Sequence, residues 1–410
     1  QNITIRKNRI TAVSTQIDVK TAKAALFPSL SFSTGHQVVN RPYQETSSRV
    51  SGSEIISSNS KTSYNGNYGL NASWTLYNGN KRLKTIQQEK LNNQMAELDV
   101  ATSENNIQES IAQVYIQILY AAESVKVNEN TLQVSIAQRD RGQELLNAGS
   151  IAKSDLAQLE AQVSTDRYQL VTAQATLEDY KLQLKQLLEL DGENEMNIYL
   201  PALSDENVLA PLPTKRDVYI SALSLRPEIE ASKLNVEASE LGINIAKSSY
   251  FPTISLSAGI GTNHTSGSDF TFGEQVKNGW NNSIGLSVSV PIFNNRQTKS
   301  AVQKAKLQYE TSMLSLLDEQ KALYKTIESL WLDANSAQQR YAAANEKLKS
   351  TQISYELISE QFNLGMKNTV ELLTEKNNLL QAQQEQLQAK YMAILNTQLL
   401  KFYQGDQLAL

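Results

Sequence analysis

Along most of the chain the apolar positions recur at helix spacing, and in four short stretches they alternate one by one with small polar residues. Ile3 to Leu26 reads as a helix that ends at Phe27-Pro28, because the residue before proline is pushed out of the helical region. The period then changes to two. Leu30 and Phe32, then Leu70, Ala72, Trp74 and Leu76, alternate with serine, asparagine, glycine and threonine. The same occurs at Ile254, Leu256, Ala258 and Ile260, and again at Ile284, Leu286, Val288, Val290 and Ile292. These positions predict four strands at about 29–41, 65–78, 252–263 and 282–293, each apolar on one face and small-polar on the other. The Ser/Asn/Gly/Thr-rich stretches between paired strands, Gln37 to Asn67 and Thr262 to Asn282, read as long exposed loops. After Asn78-Gly79-Asn80 and after Asn294-Asn295 the pattern turns helical for a long way. Lys81 to about Leu146 and Arg296 to about Asn363 each predict a helix of roughly 100 Å at 1.5 Å per residue. Each helix breaks at a glycine, Gly149 or Gly365, suited to a left-handed C-cap. A second helix then returns, from about Ser154 to Leu190 and from Thr369 to about Phe402.

The pattern is stated twice. Gly69, Tyr115, Gly149 and Leu156 recur as Gly285, Trp331, Gly365 and Leu372, all at one interval. The Phe27-Pro28 corner recurs as Phe251-Pro252 at a slightly longer one, which places the surplus residues in the first Ser/Asn-rich loop. A register held across such lengths indicates an internal duplication. The expected division is a first repeat over 1–200 with its hairpin at 81–190, and a connector over 201–216. A second repeat follows over 217–410 with its hairpin at 296–403. The connector region carries Asp191-Gly192, Pro201, Pro211 and Pro213, and Asp217 to Tyr250 reads as the second copy of the opening helix.

Where the apolar strand faces go decides the class. Four strands cannot close around a lumen, and a lone sheet leaves both edges and one apolar face open. Three chains would supply twelve strands, enough for an outer-membrane barrel with Ser, Thr, Asn and Gly lining water and Leu, Ile, Val and Trp meeting lipid. Phe27, Trp74, Tyr77, Tyr250, Phe251 and Phe293 fall at the strand ends next to the helices, where a membrane-interface aromatic girdle is expected. The rival placement is a sheet half-buried on a soluble core. Composition narrows the rest. A net charge of −4 offers no basic footprint for nucleic acid, and the absence of cysteine removes disulfides, thiolate metal sites and cysteine nucleophiles. No apolar run approaches the ~20 residues of a spanning helix. No secretory leader precedes Gln1, so any signal peptide is expected to have been removed.

The Phe27-Pro28-Ser29-Leu30-Ser31 and Phe251-Pro252-Thr253-Ile254-Ser255 corners, the Leu76-Tyr77-Asn78-Gly79 and Ile292-Phe293-Asn294-Asn295 strand exits and the two hairpin tips occur together, in order and twice. In this combination the chain resembles the TolC-type outer-membrane efflux proteins over essentially its whole length. The resemblance implies an α+β membrane protein: a homotrimer whose twelve-stranded outer-membrane β-barrel continues as a long α-helical periplasmic barrel ending in coiled-coil hairpins. It implies a periplasmic adaptor protein and an inner-membrane transporter as partners, no cofactor, and the outer membrane of a Gram-negative bacterium as the location. Without the lipid-bearing cysteine of some relatives, anchoring would rest on the barrel.

By the same resemblance the tips form a periplasmic gate of Ser154, Asp155, Phe362, Lys367 and Glu371. Lys367 would reach Ser154 or Asp155 of a neighbouring hairpin, and Glu371 would face the constriction. Gly149 and Gly365 would mark the adaptor-docking grooves. Phe362 departs from the family, which often has a tyrosine there, and Thr374 stands where a second acid is common. The residues also carry a local reading: Asn368-Thr369-Val370-Glu371 fits a capping box, and Asp155 sits in a first helical turn where negative charge is favoured anyway. His36 and His264, the two histidines, fall just beyond strand ends in the expected outer loops; a shared metal is the rival to reading them as two scattered solvent-exposed residues, and further ligands are missing. No Gly-x-Ser-x-Gly, His-Glu-x-x-His or phosphate-cradling motif occurs, which argues against an enzyme. The rival from another class is a non-transporting coiled-coil scaffold or surface fibre.

Overall fold

The computed structural model describes residues 2–43, 47–51, 54–58, 61–190, 198–199, 208–268 and 270–408. Asp191-Gly192 and Pro201 of the expected connector lie outside these residues. The chain divides into two compact units, each drawing segments from both halves of the sequence. One comprises Ala12–Met95 and Leu234–Leu314, the other Gln1–Thr11, Ala96–Lys233 and Ser315–Leu410.

The first unit is built on a four-stranded antiparallel sheet. Its strands, in spatial order, are β1 (Ser29–Asn40), β4 (Thr62–Asn78), β5 (Thr253–Thr265) and β6 (Asn281–Ser289). The longer strand of each repeat, β4 or β5, lies in the middle, and β1 and β6 are left as edges. Alternation survives folding: Leu30, Ala72, Ala258 and Ile284 stand in one row across the sheet, as do Phe32, Leu70, Ile260 and Asn282. Leu30, Phe32, Ile284 and Leu286 remain exposed within one chain, so the apolar face has no cover of its own.

Three expectations need correction here. Leu76 does not hold its place in the alternation: a bulge between Thr75 and Tyr77 sets Tyr77, not Leu76, opposite Ile254. β6 ends at Ser289 rather than near 293, since Pro291 has no N–H to give the ladder. The two long loops are partly structured. Strands β2 (Ser47–Ser51) and β3 (Glu54–Ser58) pair as a hairpin. The second loop holds a short helix, α6 (Phe272–Asn278), whose N-cap Thr271 exchanges hydrogen bonds with Glu274.

Long helices make up the other unit. α2 (Lys81–Asn147) and α7 (Gln297–Asn363) are 67 residues each, and the returning α3 (Lys153–Leu188) and α8 (Thr369–Gln404) are 36 each. The duplication therefore holds residue for residue through both hairpins. α1 (Ile3–Ala24) stops before Phe27-Pro28. The stretch read as its second copy is two helices, α4 (Lys215–Leu225) and α5 (Pro227–Ser248), because Pro227 cannot continue α4 and is well placed to start α5.

One buried cluster lies where α4 meets the helices. Val218, Ala222 and Ile229 are sealed against Leu323, Ile327, Ala334 and Leu400. A second cluster joins Ile116 and Leu119 to Tyr341, Leu387, Ile394 and Val208. Equivalent residues of the two repeats hold the connector in the same manner. The Tyr115 hydroxyl donates to the Tyr199 carbonyl (2.8 Å), and the Trp331 indole donates to that of Pro213 (3.0 Å). Gln338 adds hydrogen bonds to the carbonyls of Val208 (3.0 Å) and Ala210 (2.8 Å). Among the described residues, these four carbonyls, which lie outside helix and sheet, are met by side chains from both copies.

Candidate functional site: the hairpin tips and the rims of the sheet

Both tips end in the same way. Gly149 and Gly365 have φ of +74°, and the next N–H closes the turn, Ser150 to the Leu145 carbonyl (2.8 Å) and Met366 to that of Gln361 (2.9 Å). This is a Schellman closure, which needs a left-handed residue after the helix. A Cβ on either glycine would meet nothing within 4 Å, so both tips present bare backbone to their surroundings.

The helices that leave the tips begin differently. Asn368 Oδ1 accepts from the Glu371 N–H (2.9 Å) while the Glu371 carboxylate accepts from the Asn368 N–H (3.2 Å), a full capping box. In the first hairpin Ala152 occupies the cap and offers no side-chain acceptor. The Asp155 carboxylate alone acts there, accepting from the Ala152 N–H at 3.0 Å. Lys367 Nζ lies 2.5 Å from Glu371 Oε1, in the same tip. The ammonium, with the Asn368 N–H behind it, holds the Glu371 carboxyl below the usual glutamate range. The two tips come together around a cleft of about 370 Å³ lined by Leu145, Ile151, Asp155, Phe362, Lys367 and Glu371. Four of the five residues read as a gate thus meet there. Phe362 is buried against the tip, and the fifth, Ser154, is exposed on the outside of its helix.

A short way from the tips lies a site that the sequence reading missed. Lys376 Nζ on α8 donates to Ser135 Oγ on α2 and to Asp166 Oδ2 on α3, and Ser135 Oγ also contacts Asp166 Oδ2. Gln162 Nε2 completes the carboxylate's shell at 2.8 Å. Lys376 and Asp166 retain only 3% and 1% of their side-chain exposure. Burial pushes the Lys376 amine down from its ordinary value, and pairing with Asp166 opposes this. The link ties both hairpins of one chain together. On helices so rich in Lys, Glu and Asp nothing in the spacing marks one pair as buried, so the available signal was weak.

At the junction of α4 and α5, Arg226 is likewise buried. It pairs with Glu109 (2.5 Å) and Glu228 (3.4 Å), and its guanidinium lies 3.7 Å from the centroid of the Tyr403 ring. Burial alone would lower its pKa, but the Glu109 hydrogen bond and the surrounding anions raise it.

The rim of the sheet next to the helices carries the expected aromatics. Trp74 donates its indole N–H to the Leu26 carbonyl (2.7 Å), Tyr77 is half-buried, and Phe27, Tyr250, Phe251 and Phe293 are exposed. The far rim carries a second belt that the sequence reading did not assemble: His36, Tyr64, Tyr68, His264 and Phe272, with ring centroids 5.0–6.1 Å apart. Between Tyr64 and Trp74 the strand rises about 33 Å at ~3.3 Å per residue. At a tilt of ~40° that is about 25 Å of height, the apolar band of an outer-membrane barrel.

An open four-stranded sheet with aromatic rims, joined in one chain to duplicated helical hairpins, is the protomer architecture of outer-membrane channels. The chain superposes on the crystal structure of CusC with a TM-score of 0.83 at 19% identity, covering 99% of this chain and 90% of that one. For VceC of Vibrio cholerae the TM-score is 0.79 at 16% identity, covering 100% and 94%. The family model described as outer membrane efflux protein matches residues 1–189 and 218–405, and the chain belongs to this family. Among relatives it is 24% identical to the outer membrane efflux protein BepC of Brucella suis over 294 residues, 71% of this chain and 61% of that protein. It is 24% identical to the outer membrane protein TolC of Escherichia coli over 294 residues, 70% of this chain and 58% of that protein. The chain thus spans about three fifths of the length of these relatives.

Proposed function

We propose that the protein is the outer-membrane exit duct of a tripartite efflux or type I secretion system. On this reading, three copies close their sheets into a twelve-stranded barrel and their helices into a periplasmic tunnel. The observation that carries it is the sheet itself. β1 and β6 each keep an unpaired edge, and the apolar face of Leu30, Phe32, Ile284 and Leu286 is uncovered. In water both features drive aggregation. Edge-to-edge closure with two further copies satisfies every ladder hydrogen bond, and lipid covers the apolar face.

The tips would then surround the periplasmic mouth. Asp155, Glu371 and Lys367 form the gate, with Ser154 and Phe362 beside them, and the bare backbone at Gly149 and Gly365 offers the adaptor its grooves. Within one chain Lys367 is engaged by Glu371, so a latch to Ser154 or Asp155 of a neighbouring hairpin requires it to exchange partners. Such an exchange between wet ion pairs costs little, since each contributes about 0.2–1 kcal/mol. The inner-membrane transporter and the adaptor are the partners this reading requires.

Single-channel recording of the detergent-purified protein tests it, with its mass measured in the same preparation. A trimer that inserts into planar bilayers and conducts weakly is the expected result. Glu371→Ala should weaken cation preference and Lys367→Ala should raise conductance. A monodisperse monomer in plain buffer would refute the duct. Unchanged currents in both variants would refute the gate alone.

A further inference from the structure

His36 and His264 lie far apart in sequence, yet the register sets both directly opposite one residue. His36 on β1 and His264 on β5 are each the cross-strand partner of Gly66 on β4. The three form a row on the apolar face, near its rim, with Val38 one row further out. Gly66 has no side chain to keep the imidazoles apart, and both lean over it. The point a Cβ would occupy there is 2.6 Å from His264 Nδ1 and 3.2 Å from His36 Nδ1. The two nitrogens are therefore at most about 6 Å apart, and a modest turn of the exposed His36 ring brings them to the roughly 3 Å of two ligands on one ion.

The His36 Nδ1 lone pair is held by a hydroxyl that a cation could displace. His36 Nε2 is 3.2 Å from Thr34 Oγ1 and its Nδ1 is 2.7 Å from the Tyr64 hydroxyl. From these partners we assign the proton to Nε2, donated to Thr34, which leaves Nδ1 an acceptor. His264 Nδ1 is buried and has no hydrogen-bond partner among the described residues. A buried ring nitrogen left without a partner is costly, and a cation bound to it would remove that cost. Tyr68 stacks on His264 and Phe272 meets it edge to face, which together hold its ring in place, and the Tyr64 phenol is within reach of the same point.

We propose that His36 and His264 bind a divalent transition-metal cation across Gly66, clamping β1, β4 and β5 at the rim away from the helices. Two imidazoles, a phenol oxygen and water favour Cu²⁺ over Zn²⁺ and Ni²⁺, and exclude Ca²⁺ and Mg²⁺, which require carboxylate and carbonyl oxygens. The site is separate from the tips and from transport, and it stands or falls apart from the duct reading.

The test is a Cu²⁺ titration of the full chain in detergent, followed by calorimetry and by electron paramagnetic resonance, which counts coordinating nitrogens. Wild type should bind one Cu²⁺ per protomer through two imidazole nitrogens. His36→Ala or His264→Ala should weaken binding at least about tenfold and leave one nitrogen in the spectrum. Gly66→Ala keeps both histidines, but its Cβ would lie 2.4 Å from His264 Cε1, so it should weaken binding as much as losing a ligand. Size-exclusion profiles matching wild type exclude misfolding as the cause. Unaltered Cu²⁺ binding by the His36→Ala/His264→Ala variant, or a wild-type spectrum with a single nitrogen, would overturn the proposal and leave the rings as a packed interfacial belt.

Discussion

Replacing Lys376 by methionine removes a cation of similar volume from among three helices and strands its partner. Asp166, 1% exposed, would keep hydrogen bonds from Ser135 and Gln162 but lose its counter-ion. Breaking a buried pair in this way costs about 3–5 kcal/mol. A loss of that size is a factor of roughly 100 to 5,000 in local opening. Amide hydrogen exchange in detergent or nanodiscs, followed over α3 and α8 on either side of Asp166 and Lys376, reads this directly. The decisive comparison is Lys376→Met with Asp166→Leu. The pair removed together leaves no buried charge, and Ser135 can turn back to the carbonyl one turn below, so exchange should return to near the wild-type rate. If the double variant exchanged as fast as the single one, or the single one as slowly as wild type, the argument from an uncompensated charge would be wrong.

The same pair has a pH signature. Asp166→Asn removes the anion that partly offsets burial of Lys376, so the folded-state amine pKa falls further while the unfolded value stays near ~10.4. Between the two values the unfolded state binds the extra proton and stability rises with pH; the variant's deficit should be fully present below the folded-state value and shrink as pH rises through it, seen by exchange or thermal melting. Glu371 has the opposite sense. Its carboxyl pKa is depressed, so its contribution to the second tip is present above the ordinary glutamate value and lost as pH falls through the depressed one. Proteolysis at the Gly365 turn should therefore quicken on acidification, and Glu371→Gln should abolish that dependence. Gly149→Ala and Gly365→Ala meet no steric obstacle but force alanine to a φ of +74°, so each should cost about 1–2 kcal/mol of tip stability without changing the core, measurable by local exchange. Arg226→Lys should fail to rescue Arg226→Ala in thermal melts, since a single ammonium cannot serve Glu109 and Glu228 while lying over the Tyr403 ring.

What the sequence determined by itself was everything with a short period. Strand alternation, helix lengths, the proline corners and the glycine turns depend on neighbours a few residues away, and the duplication allowed each to be read twice. The face of the sheet that needs cover was legible for the same reason, and with it the class of protein. Local chemistry also misled where two local rules competed: Pro291 ended a strand whose alternation continued past it, and Pro227 divided a helix read as one.

Only the tertiary structure decided which distant residues meet. Of the many Lys and Asp residues on the long helices, Lys376 and Asp166 are the pair buried together. The choice depends on how helices from two hairpins are rotated against each other, which the sequence pattern of any one helix leaves open. His36 and His264 are brought opposite the same glycine by a strand register linking the two halves of the chain. A one-residue slip would have sent them to opposite faces of the sheet.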